Sequence, residues 1–161
     1  MGNIGTAMSE PVAINPRIIE ALYCEALVLS DEVRHTFTLS GRLECAGADE
    51  DLTRIALSSE GLRTTTRMMH AIAWLLNHRA YFMGEINELQ LRRYGRLSPD
   101  MHRSEPKQLA LLEPPVIRLV EATRRFYERL LRLDQSWRLT EQGRSSAVER
   151  LRERIERRLV S

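Results

Sequence analysis

Four histidines, His35, His70, His78 and His102, are the side chains of this 161-residue chain best suited to ligate a metal or move a proton. A metal site in a helical protein brings such groups together by spacing, as His-Glu-x-x-His or as Glu-x-x-His repeated on facing helices. Neither pattern occurs. His70 and His78 are eight residues apart and do not stack, His35 lies late in the first apolar stripe, and His102 falls in a proline-flanked stretch. His70, beside methionines, reads as a core histidine rather than a ligand. There is no glycine-rich phosphate loop and no nucleophile elbow. Cys24, within ALYCEALVL, reads as a buried small hydrophobe, because an activated thiolate needs a basic neighbour or a helix N-terminus. Cys24 and Cys45 have no close partners for a zinc ribbon or a disulfide framework, which makes a reducing cytoplasm the default compartment. The expectation is a protein that is not an enzyme and that needs neither cofactor nor metal.

The elements that would carry these residues are helices. Asn15-Pro16 opens the first, asparagine as N-cap and proline at a position whose N–H would be unpaired anyway. Ile18, Leu22, Ala26, Leu29, Val33 and Phe37 then repeat at helical spacing, and Gly41 supplies a stop, so the pattern predicts a helix over about 16–39. Residues 41–57 read as a loop followed by a short helical turn. A central helix begins near Ser58 or Ser59, with Glu60 suited to its N-terminal dipole, and runs to about Met83, where Gly84 ends it or INELQLRRY continues it. Its middle is apolar nearly all round. Leu62, Met69, Ile72, Leu76 and Met83 share one face, and Met68, Ala71, Trp74 and Leu75 fill the flanks, so this helix belongs inside a bundle or in a subunit interface. Residues 95–113, with Pro99 and Pro106, form the longest candidate loop. Pro114-Pro115 opens a third helix, in which Val116, Leu119, Val120, Thr123, Tyr127, Leu130 and Trp137 repeat by threes and fours.

No strand alternation is present, and the sequence predicts an all-α protein: an antiparallel three-helix bundle over residues 15–137. A loose N-terminal arm (1–14) precedes it, and an amphipathic C-terminal helix or tail (138–161) follows. The composition, 43% hydrophobic and 29% charged, is that of an ordinary globular chain, and no apolar run reaches the ~18 residues a membrane helix needs. Of the 24 basic residues all but Lys107 are arginine. In the third helix and the tail they alternate with Glu121, Glu128, Glu149, Glu153 and Glu156, as on a solvated helix surface rather than a nucleic-acid patch. The tail, with seven arginines and four glutamates, is nonetheless net +3 while the rest of the chain is −1. Its seam of Val148, Leu151, Ile155 and Leu159 wants a surface to lie on.

Three blocks carry a resemblance: EALYCEALVLSDEVRHTF, SSEGLRTTTRMMHAIAWLLNHRAYFMGEI and RRFYERLLRLDQSW. With their motifs LY-x-EA-x-x-L, S-x-x-LR-x-TTR-x-M, AWLL-x-x-RA-x-x-GE and YER-x-x-RLD, in that order over roughly 20–137, the chain resembles the alphaproteobacterial regulator of CtrA degradation (RcdA) family. The resemblance implies a cytoplasmic homodimeric bundle that serves the ClpXP protease as an adaptor. Such a protein delivers cell-cycle substrates, while a single-domain response regulator primes the ClpX unfoldase. The charge alternation and hydropathy above lead to the expectation of no nucleic-acid and no membrane partner. Arg63, Thr65, Thr66 and Arg67 match the second block and are candidate partner-binding residues, the alternative being that they cap, pack or pair within the bundle. Tyr127, Arg129, Arg132 and Asp134 match the third, where an Arg–Asp pair would fix helix packing. The tail departs from the flexible polar extension expected of the family, and Leu151, Ile155 and Leu159 are its candidate partner-binding residues. From a different class, the competing expectation is a dimeric DNA-associated transcriptional regulator.

Overall fold

The structure is a computed structural model and describes residues 14–40 and 48–159; the arm before Ile14, Gly41 and Cys45 lie outside the described residues. Among these the protein is all-α, with α1 (Pro16–Ser40), α2 (Ala48–Phe82), α3 (Glu88–Tyr94), a 3-10 turn at Pro99–His102, α4 (Pro106–Leu109) and α5 (Pro114–Leu159). The Asn15 cap forms as its sequence requires, its Oδ1 accepting from the Ile18 N–H at 3.0 Å. Helix α2 begins about ten residues earlier than its sequence suggests, taking in the stretch read as a loop and short turn. It ends in a Schellman motif: Gly84 turns to φ +77°, Gly84 N–H bonds Tyr81 O at 3.0 Å, and Glu85 N–H bonds Ala80 O at 2.9 Å.

Three long helices form the bundle, and two of the three pairings are antiparallel. Glu20 meets Arg79 at 2.6 Å, and the Phe37 ring lies against Gly61, so α1 descends along α2. The Arg79 guanidinium also sits 4.4 Å over the Tyr23 ring. Ile18 and Leu22 share a cleft with Leu133 and Ser136, and Leu29 shares one with Ala122 and Phe126, so α1 is antiparallel to α5 as well. Helices α2 and α5 run parallel, because Arg67 pairs with Thr123 and Trp74 with Asp134. A parallel pair needs a connection that travels back the full length of the bundle. Residues 83–113 make that journey, and the expected long loop is an ordered strap along α2 and α5.

The core is built from Ile19, Ala26 and Val33 of α1, Met68, Ala71, Trp74 and Leu75 of α2, and Leu119, Phe126, Tyr127 and Leu130 of α5, with Leu97 of the strap. The α5 stripe is the one legible in the sequence; in α1, Ala26 and Val33 are buried as expected, Ile19 joins them, and Ile18, Leu22, Leu29 and Phe37 are half-buried beside them. For α2 the faces are exchanged. The residues expected on its flanks form the core, whereas Leu62, Met69, Leu76 and Met83 are exposed, at 71%, 65%, 43% and 68%. Two further readings are corrected. His70 is exposed and His78 is the core histidine, and Cys24 lies on the outer side of α1 because Ile19, Ala26 and Val33 occupy the inner one.

His78 is sealed between two indoles, 4.0 Å from the Trp74 ring centroid and 5.5 Å from that of Trp137. Its Nε2 has no hydrogen-bond partner in the described structure. Burial lowers its pKa from 6.5 to about 4, with Asp134 opposing and Arg138 reinforcing the shift. The folded protein therefore resists a proton that the unfolded chain accepts, and stability held above pH 6.5 is lost as pH falls towards 4. The loss expected from this one group is about 3 kcal/mol. Urea titrations of the wild type and of His78→Phe between pH 7 and 4.5 check it: the variant should show a flatter decline, and equal slopes would assign the acid sensitivity elsewhere.

Candidate interaction surfaces

Arg63, Thr65, Thr66 and Arg67, adjacent in sequence, are divided by the helix into two populations. Glu60, Thr64 and Arg67 follow one another at helical spacing on the inner side of α2, and all three are 0% exposed. The Arg67 guanidinium is committed inward on every side. Nε donates to Met101 O at 2.8 Å, Nη1 to Thr123 Oγ1 at 2.9 Å, and Nη2 to Arg103 O at 3.2 Å, while Glu60 Oε1 stands 3.9 Å away. Thr123 passes its own proton to Val120 O at 2.8 Å, which frees its lone pairs for Arg67. Glu60 accepts from Thr64 and from Ser104 of the strap, at 3.2 and 3.3 Å. Burial pulls the Arg67 pKa below its usual value and Glu60 pulls it back up, and a guanidinium in such a setting stays cationic. Arg63, half-buried, donates to Gln108 Oε1 at 2.8 Å. These are strap anchors. Thr66 is half-buried and Thr65 exposed, so of the four candidates Thr65 is the most open to solvent.

Other long side chains continue the same task. Asn77 donates to Tyr94 O at 3.3 Å, Tyr127 to Ser98 O at 2.8 Å, and Arg124 to His102 O at 2.8 Å. Burial pushes the Tyr127 phenol up to about 12, so it stays a donor through the neutral range. Asp134, expected to pair with a neighbouring arginine of its block, accepts from Trp74 Nε1 at 3.0 Å and from Arg138 Nε at 3.1 Å. Arg129 crosses instead to Glu25 of α1. The sequence motifs of the second and third helices thus specify how the bundle is held.

Surfaces open to partners lie elsewhere. On α2 and the turn that ends it, Ile55, Leu62, Met69, Leu76 and Met83 follow one another at seven-residue intervals, all exposed. The positions between them, Ser59, Thr66, Ala73 and Ala80, are small. Large residues at one heptad position and small ones at the other make a seam about 42 Å long that suits close packing of a second helix. The spacing was visible in the sequence, but it reads equally as a core stripe. The other open surface is the end of α5. Leu139, Val148, Leu151 and Ile155 are all exposed on it, and the side chain of Leu159 lies outside the described residues. Among the described residues, no helix is long and apolar enough to cross a membrane, and no three His, Cys, Asp or Glu side chains come together to hold a metal ion.

The family described as a protein of unknown function, DUF1465, matches residues 11–159. This chain belongs to the DUF1465 family. No curated protein and no solved structure matches it. The DUF1465 match takes in every helix of the bundle and both open seams, so the family unit is the whole architecture described above rather than one block of it.

Replacing Arg67 by methionine should separate anchoring from partner contact. Glu60 would keep only the half-buried Arg63, 3.4 Å away, as counterion, and Met101 and Arg103 would lose their donors, a cost of about 3 kcal/mol. Thr65→Ala should stay within about 0.5 kcal/mol of wild type. Denaturant midpoints measure both, and hydrogen exchange at residues 98–108 should accelerate in Arg67→Met alone; an unchanged strap would show that Arg67 does not hold it.

Proposed function

We propose that this protein is a non-enzymatic adaptor that regulates ClpXP-dependent proteolysis of cell-cycle regulators in the cytoplasm, working as a homodimer through protein–protein contacts. The observation that carries the reading is the pair of unpartnered apolar faces on one small bundle, the α2 seam and the end of α5. Exposed apolar area of this extent on a polar-rimmed protein marks binding surfaces. A connector needs two of them held apart by a stiff body, and it gains its effect by raising the local concentration of one partner near another. The resemblance of the three sequence blocks to the RcdA family supports the choice of ClpX and its priming response regulator as partners. Within this reading the α2 seam joins two copies, its large residues seated on the small positions of the other chain, and α5 remains free for the machinery or its substrates.

Two measurements test the proposal. Met69→Glu and Leu76→Glu place charges on an exposed face, so each should keep the wild-type helical signal and halve the mass seen by light scattering. Unfolding instead would mean that the face is covered within a single chain, and an unchanged mass would place the dimer contact elsewhere. In a reconstituted ClpXP reaction with a primed cell-cycle response regulator as substrate, the full chain should speed turnover several-fold, and a chain ending at Trp137 should not. Absence of acceleration together with salt-sensitive DNA binding would replace the adaptor with the DNA-associated regulator, since release of phosphate counterions is the signature of the latter.

A further inference from the structure

Helix α5 carries its bundle register beyond the bundle. Val116, Val120, Thr123, Tyr127, Leu130 and Asp134 are its buried residues at alternating four- and three-residue steps. Continued at the same steps, the register passes through Trp137 and residues 141 and 144 and reaches Val148, Leu151 and Ile155. Those three residues are therefore on the face that further back meets α1 and α2, yet they are 68%, 62% and 53% exposed. Helix α2 has ended at Phe82, and Trp137 already packs on His78 near that end. Past this level the core face of α5 runs on with nothing of the described chain laid over it.

The charges beside this face select what can cover it. The register puts Arg152 on one side of the seam and Arg154 on the other, and Arg158 takes the next position of the seam itself. Glu149 and Glu156 stand one step farther out, Glu156 taking Arg152 in an exposed pair at 3.1 Å. A second copy of the same segment fits poorly: paired parallel, it sets Arg158 against Arg158, and paired antiparallel it sets Arg152 against Arg152 or Arg154 against Arg154. Like charges so placed oppose pairing. A polyanion gains little from three aliphatic side chains and meets the glutamates nearby. A helix whose apolar stripe is bordered by carboxylates satisfies both features, the aliphatic seam by burial and the arginines by ion pairs at its edges.

We propose that residues 148–158 of α5 are a docking helix for an amphipathic partner helix with acidic borders, received in coiled-coil register with the bundle core. This rests on the reading of the protein as an interaction module and names the class of partner its free end takes. It does not require that partner to be ClpX. The probe is a fluorescein-labelled three-heptad peptide with leucine and isoleucine at its core positions and glutamate at both flanks, titrated with the full chain and followed by anisotropy. A control peptide has lysine at the flanks.

The glutamate peptide should bind at least tenfold more tightly than the lysine peptide, and Ile155→Asp should weaken it at least tenfold. The double variant Arg152→Glu, Arg154→Glu should reverse the preference between the two peptides, which a merely unravelled helix end cannot do. Equal affinity for both peptides, or indifference to Ile155→Asp, overturns the proposal. So does an Ile155→Asp chain of smaller mass than wild type, which would make a second copy the occupant, or binding to phosphatidylglycerol vesicles that this variant abolishes. Because no protease component is present, peptide capture by a chain that fails to accelerate ClpXP keeps this inference and removes the adaptor, and acceleration without peptide capture does the reverse.

Discussion

A guanidinium sealed from water must have its N–H groups answered, and Arg67 sets that requirement at the centre of the molecule. Its donors go to Thr123 of α5 and to two carbonyls of the strap, Met101 and Arg103, with Glu60 supplying the opposing charge. The strap in turn has carbonyls that no helix or strand can satisfy, and a buried carbonyl left without a donor is costly. Donor and acceptors solve each other's problem. A buried ion pair of this kind adds little to net stability compared with a well-packed apolar core. Its consequence is directional: only one placement of residues 98–108 along α2 and α5 brings all of these groups within reach.

That placement decides the topology. With the strap running back along the bundle, α5 starts beside the beginning of α2 and lies parallel to it, and both stay antiparallel to α1. The polar network and the Trp74–His78–Asp134 cluster claim one side of α2 for the interior. The heptad seam is thereby turned outward. Had α2 packed on the face with the most regular apolar spacing, Glu60, Thr64 and Arg67 would lie in water and the strap would have no anchor. The exposed seam is thus a by-product of where the charge had to go, and it leaves an apolar, uncharged face open to solvent.

The same division of labour describes the protein as a whole. Polar residues buried beside the apolar core fix its geometry, and other apolar residues stay exposed on α2 and α5. Helix α5 serves both regimes in a single register: as far as Trp137 its core face is covered by two neighbours, and from Val148 onward that face is open and edged with arginine. A 46-residue helix spans about 69 Å, so the free end stands clear of the strap and the bundle. The proposed adaptor role would use one surface for assembly and the other for a partner.

Much of this was legible in the residues alone. The helical class, the Asn15 cap, the stop at Gly84 and the inner stripes of α1 and α5 follow from local chemistry: a capping oxygen, a residue tolerant of positive φ, and apolar side chains at 3.6-residue period. The amphipathic character of the tail and its basic surplus are equally local. What the sequence could not assign was the inner face of α2, where an apolar stripe at heptad spacing competes with a polar one at Glu60, Thr64 and Arg67. Periodicity favours burying the first, and only the third dimension shows that Met101, Arg103 and Thr123, distant in sequence, stand where Arg67 needs acceptors. His70 was misassigned for the same reason. A buried arginine and an exposed one carry the same letter, and the partners that make burial affordable are chosen by tertiary contact.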